Sequence, residues 1–146
     1  MTDPSFQRIL GFDFGTKRIG VASAQAITGT ATPLAPIPAR DGIPDWDKLD
    51  ALLHEWKPEA LVVGLPLNMD DTESELSRLA RKFARRMAAR FRLPGFMCEE
   101  RLSSHSARGL LMELQDRRKG KLPSLDSTAA VFIAEAWLAD PQRIAP

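Results

Sequence analysis

The 146-residue sequence predicts a single α/β domain, residues 1–146, in which helices cover a sheet. Two patterns lead to this prediction. Apolar residues alternate with polar ones, or form short unbroken runs, in five segments: 8–14, 19–23, 28–38, 60–66 and 95–102. Apolar residues recur at helical spacing in four further segments: 45–56, 72–91, 103–115 and 124–138.

The first strand carries an acidic residue where a core strand should be apolar. In segment 8–14, Leu10, Phe12 and Phe14 share one face, and Asp13 falls on the other. Burying an unpaired carboxylate costs several kcal/mol, so a partner or a metal ion is expected beside it. The alternative is a turn-capping role for Asp13 before the turn "GTKR".

The other strands differ in their predicted positions in the sheet. Segment 28–38 is punctuated by proline, which cannot donate to a ladder, so an outer strand is expected there. The unbroken apolar run "ALVVGLP" at 60–66 predicts a central strand covered on both faces.

The helix after this central strand is predicted to begin with a capping box formed by Thr72 and Glu75. Its expected buried face comprises Leu76, Leu79, Ala80, Phe83, Met87 and Phe91. Its expected outer side comprises Arg78, Arg81, Lys82, Arg85, Arg86 and Arg90.

Acidic residues stand at three places where a purely structural role does not readily account for a carboxylate. Asp13 ends the first strand, Glu99 and Glu100 stand in or just after the strand that begins at Gly95, and Asp126 stands in the first turn of the last helix. Asp126 could simply complement the helix dipole, and one of the two glutamates could pair with Arg101. Together, however, the acids predict one cluster that a divalent cation would stabilise, and oxygen ligands without His or Cys suit Mg²⁺ or Mn²⁺.

Positive charge is concentrated in one part of a nearly neutral chain. Residues 78–121 contain thirteen Lys and Arg against four acidic residues, whereas the whole chain has a formal net charge of +1. This distribution suits a polyanion partner, although a solvated helix face followed by a loop would give the same pattern.

Composition narrows the class of protein. Cys98 is the only cysteine, so neither an internal disulfide nor a cysteine-rich zinc site can form. The opening "MTDPSFQR" lacks a basic segment followed by an apolar one, and no apolar run approaches the length of a membrane span. We therefore expect a cytoplasmic protein with no membrane partner.

Four motifs, "GFDFGTKRIGVA", "VVGLPLNMD", "EERLSS" and "LDSTAA", resemble in the same order the signature blocks of the YqgF/RuvX family. The resemblance runs from about Ile9 to Leu138. It implies an RNase H-like fold, with a mixed five-stranded sheet flanked by helices, related to the junction resolvase RuvC. Family members are described as nucleases for the 5′ end of pre-16S rRNA, and formerly as Holliday junction resolvases.

The resemblance also implies roles for particular residues. Asp13, Glu100 and Asp126 become the catalytic, metal-binding acids, and the family's Asp-Glu-Arg pattern favours Glu100 over Glu99. The chain departs from the family at Asp71, where a glycine is common, and at Glu99, where an aspartate is common. The residues expected to contact the phosphates of the substrate are Lys17, Arg18, Arg81, Arg85, Arg101, Arg117, Arg118, Lys119 and Lys121.

Several alternatives stay open at this point. The partner is expected to be structured RNA, with ribosomal precursor particles or branched DNA as alternatives, and the protein could act as a monomer or a homodimer. A non-catalytic RNA-binding protein would show the same basic block without cleavage. The motif "DFGTKRIG" also resembles the first phosphate loop of actin-like ATPases, but those enzymes close two such domains around a nucleotide, and 146 residues supply one.

Overall fold

The computed structural model describes residues 6–100 and 125–146, and for Leu125 and Asp126 it describes only the backbone. The predicted helix 103–115 and the basic loop after it lie outside the described residues. The strands are β1 (Arg8–Asp13), β2 (Arg18–Gln25), β3 (Thr30–Arg40), β4 (Ile43–Pro44), β5 (Ala60–Pro66) and β6 (Gly95–Glu100). The helices are α1 (Trp46–Trp56), α2 (Glu75–Phe91) and α3 (Leu125–Ala139).

The strands form one mixed sheet in the order β4-β3-β2-β1-β5-β6. Strands β1 to β4 are antiparallel neighbours, whereas β5 is parallel to β1 and β6 is parallel to β5. The five predicted strands are all present, and β4 adds a two-residue sixth strand. Strand β3, predicted to be an outer strand, is therefore second in the order, because β4 pairs with its last two residues. The apolar run of β5 lies between β1 and β6, which confirms the prediction of a central strand.

Each face of the sheet packs against different helices, and each has its own apolar core. On one face, α1 and α2 cover a core that includes Leu10, Phe12, Leu49, Val63, Phe83, Met87 and Met97. On the other face, α3 covers a core that includes Ile9, Val62, Phe96, Ile133, Ala134 and Trp137. No helix within residues 6–100 and 125–146 is long and apolar enough to cross a membrane.

The predicted start of α2 is wrong by two residues. Ser74, not Thr72, is the N-cap, and the capping box pairs Ser74 with Ser77. The Ser77 hydroxyl accepts a bond from the Ser74 amide at 2.9 Å and donates to the carbonyl of Pro66, whereas Thr72 bonds to Asp70 in the preceding loop. With this start Ser77 faces inward, and Leu76, predicted to be buried, is 39% exposed.

Helix α3 lies unusually close to the sheet because small residues meet at the contact. A Cβ atom on Gly11 of β1 would stand 2.8 Å from the Cβ of Ala134 and 3.1 Å from the carbonyl oxygen of Ala130. Real Cβ atoms are almost never found that close to another carbon, so a side chain at position 11 would push the helix away from the sheet.

Residues 141–146 follow the outer side of β6. The amide of Met97 donates to the carbonyl of Ile144 at 2.9 Å, in an antiparallel bridge between the two residues. This terminal segment therefore occupies part of the edge that β6 would otherwise expose.

Candidate functional site

The predicted acids of β1 and β6 lie at one end of the sheet. Strands β1, β5 and β6 are mutually parallel, so their carboxyl ends meet there. Asp13 is the last residue of β1, and Glu100 is the last residue of β6. Ligand sites in open α/β sheets commonly form at the carboxyl ends of parallel strands.

Strand alternation separates the two neighbouring glutamates. Glu99 is exposed, near Arg81 of α2. The pKa of the Arg81 guanidinium is raised mainly by its hydrogen bond to Glu73 and, more weakly, by the charge of Glu99. Glu100 is only 8% exposed, on the opposite face of β6. Alternation alone leaves open which glutamate faces inward, and the buried one is the glutamate that the family resemblance favours.

The carboxylate of Glu100 lies directly over the backbone of Gly64 in β5. A Cβ atom built on Gly64 would stand 2.1 Å from Oε2 of Glu100 and 2.6 Å from Cδ1 of Ile133 in α3. The absence of a side chain at position 64 therefore creates the space that the Glu100 carboxylate occupies, under the cover of α3.

Asp13 stands beside this carboxylate, one strand away. Phe12 pairs with Val63, so Asp13 and Gly64 are the next residues along two neighbouring parallel strands, which lie about 4.8 Å apart. Asp13 shares the face of Gly11, which contacts α3, because side chains alternate along a strand. The sheet thus gathers Asp13 and Glu100 on one face. Strand β5 lies between their strands, but the Glu100 carboxylate reaches over Gly64 of β5, which is one strand spacing from Asp13.

Helix α3 brings a third position to the level of Asp13. The helix runs antiparallel to β1, since its far end places Trp137 against Phe96, with ring centroids 5.4 Å apart. Residue 126 precedes Ala130, which packs over Gly11, by four residues, a rise of about 6 Å along the helix. Two residues of strand, from Gly11 to Asp13, cover about the same distance, so the backbone of residue 126 lies at the level of Asp13.

The beginning of α3 is anchored by a buried hydroxyl group. Ser127 is 1% exposed, and its Oγ donates to the carbonyl of Leu34 in β3 at 2.6 Å. The same oxygen accepts from the amide of Val21 in β2 at 3.5 Å, next to an irregularity in the β2–β3 ladder between Ile19 and Val21. These bonds fix the position of the first turn of α3 along the sheet.

The ligands at this site would suit a hard divalent cation. Carboxylate oxygens are the ligands that Mg²⁺ and Mn²⁺ prefer, and Asp13 and Glu100 both supply them. Among the described side chains no group of three His, Cys, Asp or Glu forms, so a third carboxylate ligand would have to come from Asp126 or another residue outside them. Burial, with smaller contributions from Glu100, Glu99 and Asp140, raises the pKa of the Cys98 thiol to about 11, so this neighbouring group stays protonated at neutral pH.

The predicted phosphate-contacting residues fall into three groups. Lys17 and Arg18 are exposed in and after the turn that follows Asp13, close to the acids. Arg81 forms a bidentate ion pair with Glu73, at 2.9 and 2.7 Å, and donates to the carbonyl of Ala145, whereas exposed Arg85 donates to the carbonyl of Pro146 at 3.4 Å. The rest lie outside the described residues: Arg101, Arg117, Arg118, Lys119 and Lys121.

Two residues that shape the site were not predicted from the sequence. Gly64 is a glycine inside a strand of branched side chains, a pattern that often marks a close approach, so the sequence contained a signal that was not used. Ser127 gave no such signal, because a serine in the first turn of a helix is ordinary, and its partners in β2 and β3 are about a hundred residues away.

A family model and two similar proteins point to the same family. The family model described as "RuvX: Holliday junction resolvase" matches residues 7–140. A protein of Marinobacter nauticus is 51% identical over 94% of this chain and 96% of its own, and one of Chromohalobacter salexigens is 49% identical over 96% and 95%. Both are named "Putative pre-16S rRNA nuclease".

Solved structures confirm the predicted fold. RuvC of T. thermophilus, in complex with a Holliday junction substrate, aligns with a TM-score of 0.57 at 14% identity, over 88% of this chain and 91% of that one. The fowlpox virus Holliday junction resolvase aligns with a TM-score of 0.53 at 12% identity, over 92% and 99%. At these identities the likeness concerns the fold, which is RNase H-like.

Replacement of Gly64 by alanine tests the packing of the site. Because the new methyl group would collide with Glu100 and Ile133, we expect Gly64→Ala to lower the free energy of unfolding by about 1–3 kcal/mol. Denaturant unfolding measures this, with Gly95→Ala as the control, since its methyl group would come no nearer than 3.3 Å to the Cβ of Ala88. Equal stabilities of the two variants would contradict the close contact at Gly64.

Proposed function

Because the chain belongs to the RuvX family, we propose that it is a divalent-metal-dependent nuclease that hydrolyses phosphodiester bonds at the 5′ end of pre-16S rRNA. The observation that supports this most strongly is the pair of acids at the carboxyl end of the sheet. Asp13 and Glu100 share one face there, and Glu100 is held in a mostly buried position over Gly64. The relatives' printed names supply the substrate in this proposal.

In the proposed mechanism, Asp13, Glu100 and Asp126 are the catalytic residues, and they would hold Mg²⁺ or Mn²⁺. The bound ions would activate water and stabilise the leaving oxygen of the scissile phosphodiester. The protein's part is to hold the acids in place. Glu100 is fixed between β5 and α3, Asp13 is fixed at the end of a central strand, and position 126 is fixed by the Ser127 anchor. Low exposure strengthens the charge interactions of Glu100, because less water screens them.

The cations near the acids would position the nucleic acid. Lys17 and Arg18 follow Asp13 in the chain at the same end of the sheet, so a phosphate that approaches the acids could meet both. Arg85 lies on α2, on the other face of the sheet, so it would contact a more distant phosphate of the substrate. A phosphate contact from Arg81 would require exchange of its bond to Glu73. We assign the same positioning role to Arg101, Arg117, Arg118, Lys119 and Lys121, and such contacts orient a substrate without reading its sequence.

Holliday junction cleavage is the second candidate, because the matching family model carries that description. The two substrates call for different assemblies. Resolution of a junction requires two symmetric cuts and hence favours a homodimer, whereas an enzyme that trims RNA in cytoplasmic ribosomal precursors could act as a monomer. Incubation of a 5′-extended 16S leader RNA and of a four-way DNA junction with the protein, with Mg²⁺, Mn²⁺ or EDTA, distinguishes them. Cleavage of neither substrate with either ion would contradict the nuclease proposal.

Metal binding predicts a change in thermal stability that depends on Asp13. Mg²⁺ or Mn²⁺ should raise the melting temperature, since a ligand at about a hundred times its dissociation constant stabilises the native state by about 2.7 kcal/mol. In Asp13→Asn the protein without metal should be no less stable, because a repulsive charge is removed, and the increase with metal should shrink. Asp41→Asn, which removes an exposed acid from the β3–β4 turn, should keep the full increase. An undiminished increase in Asp13→Asn would rule out Asp13 as a ligand.

The two neighbouring glutamates give a matched pair of variants for catalysis. Glu100→Gln keeps the size of the side chain but removes the charge that would hold a cation, so cleavage of the leader RNA should fall about a hundredfold or more. RNA binding should hold or strengthen, because one negative charge near the phosphates is gone. Glu99→Gln, on the opposite and exposed face of β6, should keep most of the activity.

Cleavage rates and dissociation constants for both variants on the same RNA decide the assignment. An active Glu100→Gln together with an inactive Glu99→Gln would move the ligand to Glu99. If both variants cleave the RNA as fast as the wild type, β6 contributes no ligand to the metal site.

A further inference from the structure

The arginines of helix α2 are largely paired with acids. Arg78 binds Glu75, and Arg90 binds Asp50, each through two nitrogen atoms. Arg81 binds Glu73 in the same bidentate way. Such pairs neutralise the guanidinium groups locally, so the formal charge of the helix overstates the number of cations that a polyanion would find there.

Lys82 and Arg86 of α2 differ from these three arginines. Both side chains are exposed, and neither makes a hydrogen bond or an ion pair with any residue in 6–100 or 125–146. They stand four residues apart on α2, so they share one face of the helix.

The β3–β4 turn lies against this pair of cations. Its residues Asp41 and Gly42 have φ angles of 52° and 83°, as a tight hairpin turn requires. The turn presents Ile43, which is 55% exposed, and a surface depression is lined by Asp41, Ile43, Lys82 and Arg86. An exposed isoleucine between two cations and one acid suits a ligand with both anionic and apolar parts.

The same turn connects these cations with the proposed active site. The amide of Gly42 donates to the carbonyl of Thr16 at 3.0 Å, so the turn contacts the β1–β2 connection that carries Lys17. Phe83, the neighbour of Lys82, packs against Phe14 with ring centroids 5.3 Å apart. Phe14 directly follows Asp13, so the two α2 cations stand at the level of the strand end that carries the catalytic acid, on the α2 side of the sheet.

From this arrangement we propose that Lys17, Lys82 and Arg86 form a phosphate-binding surface, the outer cationic surface, for the part of the substrate strand that leaves the catalytic acids. The strand would pass Lys17 at the end of the sheet, place its phosphates against Lys82 and Arg86, and set a ribose or base against Ile43. Three cations outweigh the single acid Asp41, so the surface attracts a polyanion. The inference rests on the proposed nuclease function and adds a requirement to it: the substrate must extend several nucleotides beyond the scissile bond on one side.

Charge-matched double variants of one helix test this surface. Lys82→Gln/Arg86→Gln and Arg78→Gln/Arg90→Gln each remove two positive charges from α2, but only the first pair removes the proposed phosphate contacts. We expect the first variant to reduce the slope of log affinity against log salt by about two counterions for the leader RNA, and the second to leave the slope close to that of the wild type. Circular dichroism spectra and melting curves of both variants check that they are folded.

Shortened leader RNAs add a second measurement. When the RNA is trimmed stepwise from one side of the cut, the affinity difference between the wild type and Lys82→Gln/Arg86→Gln should disappear. Trimming from the other side should preserve the difference.

The outcomes separate this inference from the proposed function. Equal slopes for the two double variants, or an affinity difference that survives trimming from both sides, would overturn the outer cationic surface even if the protein cleaves RNA. Binding without cleavage by the wild type would contradict the nuclease function and leave the slope comparison to decide the surface. Absence of binding to the leader RNA and to the junction would overturn both.

Discussion

The close packing of helix α3 on strands β1 and β5 is the contact on which the candidate site depends. Two glycines on the same face, Gly11 and Gly64, allow it, and Ala134 and Ile133 fill the space above them. The contact buries the Glu100 carboxylate between sheet and helix, and it sets the distance between the sheet and the first turn of α3, which Ser127 holds over β2 and β3. A methyl group on Gly11 would meet the backbone of α3, whereas one on Gly64 would displace the Glu100 carboxylate itself.

Packing alone determines how far the helix lies from the sheet, but it does not prevent the helix from sliding along it. The polar anchor at Ser127 adds that second restraint, because the hydroxyl group bonds to backbone atoms of two different strands. A buried hydroxyl without partners would be costly, so the helix is strongly held where both bonds form. Apolar contacts and one polar contact thus restrain different directions of motion at the same site.

The sequence predicted the strands and the apolar helix faces well because their periodicities reflect burial directly. Segments 8–14 and 60–66 contain strands, as predicted, because alternation and short unbroken apolar runs are typical of residues in a covered sheet. The start of α2 was mispredicted because Thr72-x-x-Glu75 and Ser74-x-x-Ser77 are both plausible caps, and only the contact of Ser77 with Pro66 in β5 decides between them. Long-range contacts of this kind leave little trace in local sequence.

The roles of the candidate site residues stay predictions, but part of their arrangement could be predicted from the sequence. The motif order selected Asp13 and Glu100, and the structure brings them to one face. What the sequence could not show was which cations are paired, since the partners of Arg81 and Arg90 stand 8 and 40 residues away along the chain. The backbone of Asp71 was equally hidden from the sequence: the residue adopts a left-handed conformation, φ 67°, in the loop after β5, and aspartate is one of the few residues besides glycine that tolerate it.

The terminal segment along β6 has a consequence for self-association. An uncovered outer strand is a template for pairing with another chain, and here the amide of Met97 is already bonded to Ile144. On the other side of the sheet, the two-residue β4 pairs only with Ala39 and Arg40 of β3, and prolines at 33, 36 and 38 remove donors that another strand would need along the rest of β3. Within residues 6–100 and 125–146, both lateral sides of the sheet are therefore poorly suited to strand addition, and two copies of this chain would have to associate through helix or loop surfaces rather than by extending the sheet.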